Sequence, residues 1–247
     1  MDDYYIVYDK PYEYKKIKIY PVLVENYLEF NSCITCLLLQ KNKTQDVKII
    51  KMSYLDWLFW IQDQDVKNKI FLEMLDYLFQ LILQEQNFQF FKDSNGKISF
   101  VINDNQFNSK DFVEIKNIIC EQNNIDGSEI ILDDDLEKAL IEAQEYHEKH
   151  NIKLANFEEL MIAYHIYTGL DYEKIHKLPI RKFNKGIERI QLLENYRIAK
   201  TAEMSGMVKF KEEIKYWLSH VERKGKFDHL LIKDANKKIG ELKQMLN

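Results

Sequence analysis

Apolar side chains recur at helical spacing along most of this chain, and that periodicity constrains its fold more than any other feature. The longest example begins at Pro179 and is predicted to continue to the Ser205-Gly206 pair. Its apolar stripe consists of Phe183, Ile187, Ile190, Leu193 and Tyr196. The 247 residues include only seven Gly and three Pro, so few positions interrupt a helix. We therefore predict a mainly α protein of the α+β class with a bundle-like C-terminal part.

Two short regions have the composition of β-structure. Residues 4–8 are rich in Tyr, and in residues 16–20 isoleucines alternate with lysines, so these two stretches are predicted to form an N-terminal β-hairpin. A second hairpin is predicted from residues 88–91 and 97–102, because the intervening Asn-Gly sequence suits a tight turn. It leads through another turn into a helix that Ser109 is expected to cap. The sequence thus predicts a central hairpin and helix unit.

Helix-capping signals mark further helices in the first half. One helix is predicted from residues 22–25 through Leu39. Ser53, followed three residues later by Asp56, is typical of an N-cap, and Asp65 is predicted to cap the next helix.

The second half carries the same kind of signals. Asn156 and Glu159 have the spacing of a capping box, and Gly169 is a natural helix stop. Asp171 is predicted to cap a short helix, and Pro179 suits the first turn of the long one. After Ser205-Gly206 we predict another helix, which carries Phe210, Ile214, Trp217 and Val221.

The predicted domain organisation has three parts. An α+β region with the central hairpin unit covers residues 1–122, and a polar loop or boundary covers residues 123–135. A helical region covers residues 136–247, with an acidic helix first and a lysine-containing tail last.

Charge is unevenly distributed, although the net charge is only −5. Residues 171–247 hold 18 Lys and Arg against 11 Asp and Glu, a balance of +7, whereas the first 170 residues have a balance of −12. This polarity favours either a basic partner surface or head-to-tail self-association, and the alternative is that solvated helix faces simply differ in sign. Neither a signal peptide nor a membrane span is expected, and three cysteines suit a reducing compartment.

Catalytic patterns are weak throughout the sequence. Cys33 and Cys36 have redox or zinc spacing, but they lie within a predicted helix and lack a second pair, so buried thiols are the simpler interpretation. The His147 and His150 pair lacks an HExxH pattern, and both E-x-K elements lie in predicted helices rather than strands. We therefore predict a protein that is not an enzyme and that uses no cofactor, metal site or catalytic residue.

A DNA-binding helix-turn-helix is one alternative for residues 159–190. Gly169 is placed at the turn, with Ile175 six residues later, although His165 is bulky where such motifs favour a small residue. The basic residues that would contact phosphates are Arg181, Lys182, Lys185 and Arg189. Nucleic acid is nevertheless not the partner that we expect.

Residues 197–217 are the best candidate for contact with a protein partner. They combine helix-forming residues with a Ser-Gly interruption and spaced aromatic side chains. Aromatic residues and Met are enriched in protein interfaces. The predicted contact residues are Tyr196, Met204, Met207, Phe210 and Trp217. The alternative for Phe210 and Trp217 is a place in the core of the C-terminal helices.

Three blocks of this sequence also resemble a family. They are YDKPYEYKKIKIYPVLVENYLEF with the following CLLLQKN and IIKMSYLDWL, then KISFVINDNQFNSKDFVEIKNIICEQN, and then LPIRKFNKGIERIQ through TAEMSGMVKFKEEIKYW. Together they resemble proteins encoded by phages and prophages of Gram-positive bacteria, and in particular tail assembly chaperones.

This resemblance implies a tail morphogenesis protein that holds a tape-measure-like client, or that self-associates, in the host cytoplasm. Virion association is left open. A structural subunit of the virion, such as a baseplate or connector component, is the second reading, and a DNA-binding regulator is the third.

Overall fold

The computed structural model describes residues 3–41, 46–64, 70–84, 86–93, 96–127, 142, 155–206, 208–210 and 213–220. The chain divides into two compact units, residues 1–131 with 156–217 and residues 132–155 with 218–247. Almost all of the second unit lies outside the described residues, as do the predicted cap at Asp65, the acidic helix and the C-terminal tail. The predicted domain boundaries stay a prediction.

The described elements alternate between helices and short strands. In chain order they are α1 (Asp3–Val7), β1 (Tyr12–Tyr14), β2 (Ile17–Ile19), a 3-10 turn (Val24–Asn26), α2 (Tyr27–Cys33), α3 (Thr35–Leu38), α4 (Val47–Lys51), α5 (Tyr54–Gln64), α6 (Ile70–Leu83), β3 (Phe88–Lys92), β4 (Ile98–Ile102), β5 (Asn105–Phe107), α7 (Ser109–Gln122), α8 (Phe157–Thr168), α9 (Tyr172–His176) and α10 (Ile180–Met204). The strands form one antiparallel hairpin and one three-stranded sheet. The mainly α, α+β prediction is confirmed.

The N-terminal hairpin is present, but one of its predicted strands is wrong. The Tyr-rich stretch at residues 4–8 forms most of helix α1, and β2 pairs instead with β1, in the register Tyr14↔Ile17. The two-residue turn between them places Lys15 at φ 44° and Lys16 at φ 70°. Ile17 and Ile19 are fully buried, whereas Lys18 is exposed, so burial of one face selects this register.

The central sheet and its helices enclose the main hydrophobic core. Both predicted strands of the hairpin are confirmed as β3 and β4, and β5 pairs with the other side of β4. The Phe79 ring on α6 lies at its centre, with its centroid 5.5 Å from Phe90, 6.0 Å from Phe100 and 6.2 Å from Phe112. Such aromatic contacts join α6, α7 and the sheet into one packed layer.

Helix α7 begins one residue earlier than its predicted cap implied. Asn108, not Ser109, is the N-cap, and its side chain accepts hydrogen bonds from the backbone N–H groups of Lys110 and Asp111. The Asp111 carboxylate accepts from the Asn108 N–H at 3.0 Å and completes a capping box. At α5 the predicted cap is confirmed, since the Ser53 hydroxyl accepts from the Asp56 N–H at 3.1 Å.

The single helix predicted from residues 22–25 to Leu39 is divided into three pieces. A 3-10 turn precedes α2, and α3 follows after Ile34. The start is not α-helical because the Val24 N–H donates to the Leu178 carbonyl at 2.8 Å, and the Val22 carbonyl accepts from the Ile180 N–H at 2.9 Å. These bonds flank an antiparallel bridge between Leu23 and Pro179. Tertiary pairing thus displaces the local helix.

Caps in the C-terminal part agree largely with the sequence. Asn156 and Glu159 form a capping box, Gly169 ends α8 at φ 70°, and Asp171 is the N-cap of α9, without a side-chain cap bond. Pro179 is the N-cap of α10 rather than its first residue. The predicted helix beyond Ser205-Gly206 is wrong for residues 208–210 and 213–220, which are not helical.

Helices α8, α9 and α10 pack on the N-terminal part through a second, smaller core. Its buried residues are Val24, Ile175 and Phe183, and the Tyr27 ring stacks on Phe157 with centroids 3.8 Å apart. Ile180, the first residue of α10, reaches the main core. Residues 156–217 are therefore part of the same compact unit as residues 1–131.

Candidate interaction surface

Helix α10 is fully buried only at its start, and exposed apolar residues appear on its later turns. Of its 25 residues only Ile180 and Phe183 are buried, and both lie in the first turn. Ile187 is partly buried against the small core. The fully buried residues of the helix are therefore confined to its start, and its later turns carry partly buried and exposed residues.

The chain after Gly206 returns along α10. The Arg189 Nη1 donates to the Trp217 carbonyl at 2.8 Å, and the Tyr196 ring meets the Tyr216 ring edge-on with centroids 5.6 Å apart. Arg189 and Tyr196 are two turns apart in the middle of α10, so residues 216–217 lie beside this part of the helix, where both side chains reach them. Gly206, at φ 72°, ends the helix and permits this return, since L-residues rarely adopt that conformation.

Exposed apolar side chains cluster on the later turns of α10 and on the returning segment. Ile198 is 67% exposed and Met204 is 86% exposed. We define the α10 surface by Tyr196, Ile198, Met204, Val208, Phe210 and Tyr216. Apart from Tyr196, which is partly buried, each is exposed, so the surface offers apolar area that packing within this unit leaves open.

Helix α8 adds a second open face beside α10. It has no buried residue, and Ile166 on it is 76% exposed. The Tyr167 hydroxyl donates to the Glu194 carboxylate at 2.9 Å, and Arg197 pairs with the same carboxylate at 3.0 Å. These contacts join the C-terminal half of α8 to the middle of α10.

The predicted contact residues are placed as follows. Met204 and Phe210 are exposed, and Tyr196 and Trp217 are partly buried, so none of these four belongs to the hydrophobic core. Met207 lies outside the described residues. Their role as partner contacts stays a prediction, but the alternative that Phe210 belongs to the core does not agree with its 43% exposure.

Sequence reasoning missed Ile198 and Ile166. Ile198 lies two residues beyond Tyr196, so it is not on the apolar stripe of α10. This position outside the stripe was the sequence signal that could have identified it. In α8 the apolar residues surround the whole helix rather than one side. An apolar residue outside the buried stripe of a helix is the pattern that indicates an open face.

Most of the basic residues considered for DNA contact have intramolecular partners. The Lys182 Nζ pairs with Asp9 at 2.5 Å, and the Lys185 Nζ pairs with Glu188 at 2.7 Å. Arg189 donates to Trp217, and Arg181 is only partly exposed. Their charges are therefore partly neutralised or shielded, which does not favour a phosphate-binding row.

The cysteine thiols are buried, and the His165 ring is held by a hydrogen bond and by ring stacking. Cys33, Cys36 and Cys120 are free and buried. Burial, with the neighbouring Cys33, raises the pKa of the Cys36 thiol to about 12, which disfavours the reactive thiolate. The His165 Nδ1–H donates to the Leu170 carbonyl at 2.7 Å, and its ring stacks on Tyr172.

Neither a metal-binding cluster nor a helix able to span a membrane is found among the described residues. Over the described ranges, no group of three or more His, Cys, Asp and Glu side chains is placed to hold a metal ion. Among the helices in the part of the chain that the structure describes, none combines the length and apolar character needed to span a bilayer.

Comparison with known families identifies one related segment. Residues 147–222 match the family model described as the YomV second domain. This match, over less than a third of the chain, points to a family of phage or Bacillus type. It contains α8, α9, α10 and the whole α10 surface. No curated protein and no solved structure matches the chain.

Proposed function

We propose that this protein is a non-enzymatic morphogenesis protein of a phage or prophage, which acts through protein–protein contacts in the manner of a tail assembly chaperone. The single observation that carries the proposal is the α10 surface, an open apolar face within the segment that matches a phage-type family. The resemblance of three sequence blocks to phage tail proteins supports it. We place its action in the host cytoplasm.

The α10 surface suits an amphipathic helical client. A helix that binds another helix presents apolar residues at three- and four-residue spacing, and such clients fit between exposed helices. Helices α8 and α10 lie side by side, and Ile166 and Ile198 both face solvent. Burial of one such side chain contributes about 1.5–3 kcal/mol to binding. A client that contacts several of these side chains gains enough binding free energy to offset the entropic cost of ordering its flexible chain.

Co-expression with a long α-helical tail protein of the same phage tests the proposal. We expect the client to co-purify with the wild-type protein, and the Ile198→Lys, Met204→Lys double variant to bind at least about tenfold more weakly, or ~1.4 kcal/mol. The matched control is Val47→Lys with Ile50→Lys, since both residues are exposed on α4, outside the family-matched segment.

Two outcomes would contradict this function. Equal binding by both double variants would show that the α10 surface is not the contact. Presence of the protein in purified particles would favour the virion structural subunit, since a chaperone leaves before assembly is complete. The DNA-binding alternative predicts duplex binding that weakens steeply with salt and with Arg181→Ala plus Lys185→Ala.

A further inference from the structure

Strand β3 is the outer strand of the central sheet and has one open edge. The sheet order is β3-β4-β5, so β3 pairs only with β4. Gln89, Phe91 and Lys92 are exposed along it. An open edge strand presents backbone donors and acceptors to any strand that can approach.

The register identifies the backbone groups at this edge. The Asp93 N–H donates to the Lys97 carbonyl, and the Asn103 N–H donates to the Asn87 carbonyl, which places both pairs in the hydrogen-bonded class. Pairs alternate along an antiparallel ladder, so Gln89 and Phe91 also bond to β4. The N–H and C=O groups that point away from β4 are therefore those of Phe88, Phe90 and Lys92.

Within the described part of the chain, these outward groups receive no backbone or side-chain hydrogen bond. The matching edge of β2 is protected differently. There the Gln86 side chain accepts from the Lys18 N–H at 3.1 Å and donates to the Lys18 carbonyl. Among the described residues, a side chain therefore covers the edge of β2, whereas none covers the edge of β3.

We propose that β3 pairs antiparallel with β3 of a second copy, across a two-fold axis at Phe90. In this register Phe90 faces the Phe90 of the other copy, and Phe88 faces its Lys92. All three outward N–H groups of each copy then meet carbonyls of the other, since the pattern at positions 88, 90 and 92 is symmetric about its centre. The result is a continuous six-stranded sheet with an isologous interface.

Charge and side-chain chemistry agree with self-pairing. Lys92 is the single charged residue of β3, and the register places the two copies of Lys92 at opposite ends of the paired strands. No like charges are therefore opposed, and like charges directly opposite would destabilise the pair. The two Phe90 residues form a cross-strand aromatic pair, and exposed Phe91 packs beside Gln89 of the second copy.

Disulfide trapping tests both the contact and its register. Gln89 and Phe91 of the two copies would be a non-hydrogen-bonded pair with Cα atoms about 4.5 Å apart, within disulfide reach. A mixture of Gln89→Cys and Phe91→Cys proteins should form a cross-linked dimer on mild oxidation. Each variant alone should cross-link far less, because its own cysteines lie about 7–8 Å apart along the diagonal. The three native cysteines are buried and provide no competing thiol.

A proline variant tests whether the open backbone edge is responsible. Lys92→Pro, introduced into both cysteine proteins, removes an outward N–H while leaving the bonds to β4 intact. We expect it to abolish cross-linking of the mixture, whereas Lys92→Ala, which keeps the N–H, should preserve it. Circular dichroism checks that both variants fold.

Absence of a cross-link in the Lys92→Ala mixture would overturn the proposal, as would equal cross-linking by Gln89→Cys alone. These results do not depend on the α10 surface or on any client.

Discussion

Gly186 of α10 lies against Tyr164 of α8, and replacing it tests how these helices pack. A Cβ atom at this position would lie 2.5 Å from the Tyr164 Cε2, 2.9 Å from its Oη and 3.1 Å from its Cζ. Movement of the Tyr164 ring would weaken its packing, because the ring is partly buried and its centroid lies 5.0 Å from that of Phe183. Gly186→Ala must therefore shift the ring or separate the helices.

Two opposing effects determine the size of the change. Alanine in place of glycine within a helix stabilises it by about 1 kcal/mol. Overpacking of a well-packed contact costs about 1–3 kcal/mol, and three close contacts place this site near the middle of that range. We expect Gly186→Ala to lower the free energy of unfolding by roughly 1 kcal/mol, equivalent to a fall in Tm of about 2–4 °C.

A double-mutant cycle with Tyr164→Leu isolates the steric contact. Leucine lacks the ring atoms that the new Cβ would meet, so in this background Gly186→Ala should raise the free energy of unfolding by about 1 kcal/mol. The coupling of roughly 2 kcal/mol far exceeds the deviation expected for independent sites. Thermal and urea unfolding followed by circular dichroism measure all four proteins. An equal effect of Gly186→Ala in both backgrounds would refute the packing argument.

Three further predictions concern the N-terminal hairpin turn, the buried Asp111 carboxylate of α7 and the Cys36 thiol. Lys16→Gly should raise the free energy of unfolding by roughly 0.5–1 kcal/mol in thermal denaturation, because Lys16 has φ 70°, whereas Lys18→Gly in the extended strand should lower it. Burial alone would raise the pKa of Asp111, but hydrogen bonds from the Lys15 ammonium, the Asn108 N–H and the Tyr14 hydroxyl outweigh it and lower the pKa. That stabilisation is present above the unfolded pKa of about 4 and is lost as the pH falls through the folded pKa. Asp111→Asn should therefore be less stable than the wild type at neutral pH and should lose less stability in acid. Parallel pH profiles of urea unfolding for the two proteins would contradict this. A thiol reagent should leave Cys36 unmodified in the native protein and label it in urea, and rapid native labelling would refute its burial.

Local patterns predicted much of the fold. The capping box at Asn156, the helix stop at Gly169 and the β3–β4 hairpin were all predictable, because each depends on residues within a few positions of one another. Residues 4–8 were not, since a Tyr-rich pentapeptide fits either a strand or a helix. Only the pairing of β2 with Tyr12–Tyr14 excluded it from the hairpin.

The candidate surface was only partly predictable. Helical spacing indicated the buried side of α10 near Phe183, but it could not show which apolar residues on the later turns stay exposed. Nor could it show that residues 216–217 return along α10 without helical structure, because that path depends on contacts with Arg189 and Tyr196. Exposure of Ile198 depends on what the rest of the chain covers.

The sequence by itself determined the mainly helical class, most of the helix caps and the burial of the cysteines, because these follow from local spacing and side-chain chemistry. Tertiary structure alone decided where residues 156–217 lie. Two backbone hydrogen bonds, from Val24 to Leu178 and from Ile180 to Val22, join positions more than 150 residues apart. Almost any backbone N–H can make such a bond, so the pattern of side chains does not indicate which carbonyl will accept it. The exposure of the α10 surface depends on that arrangement.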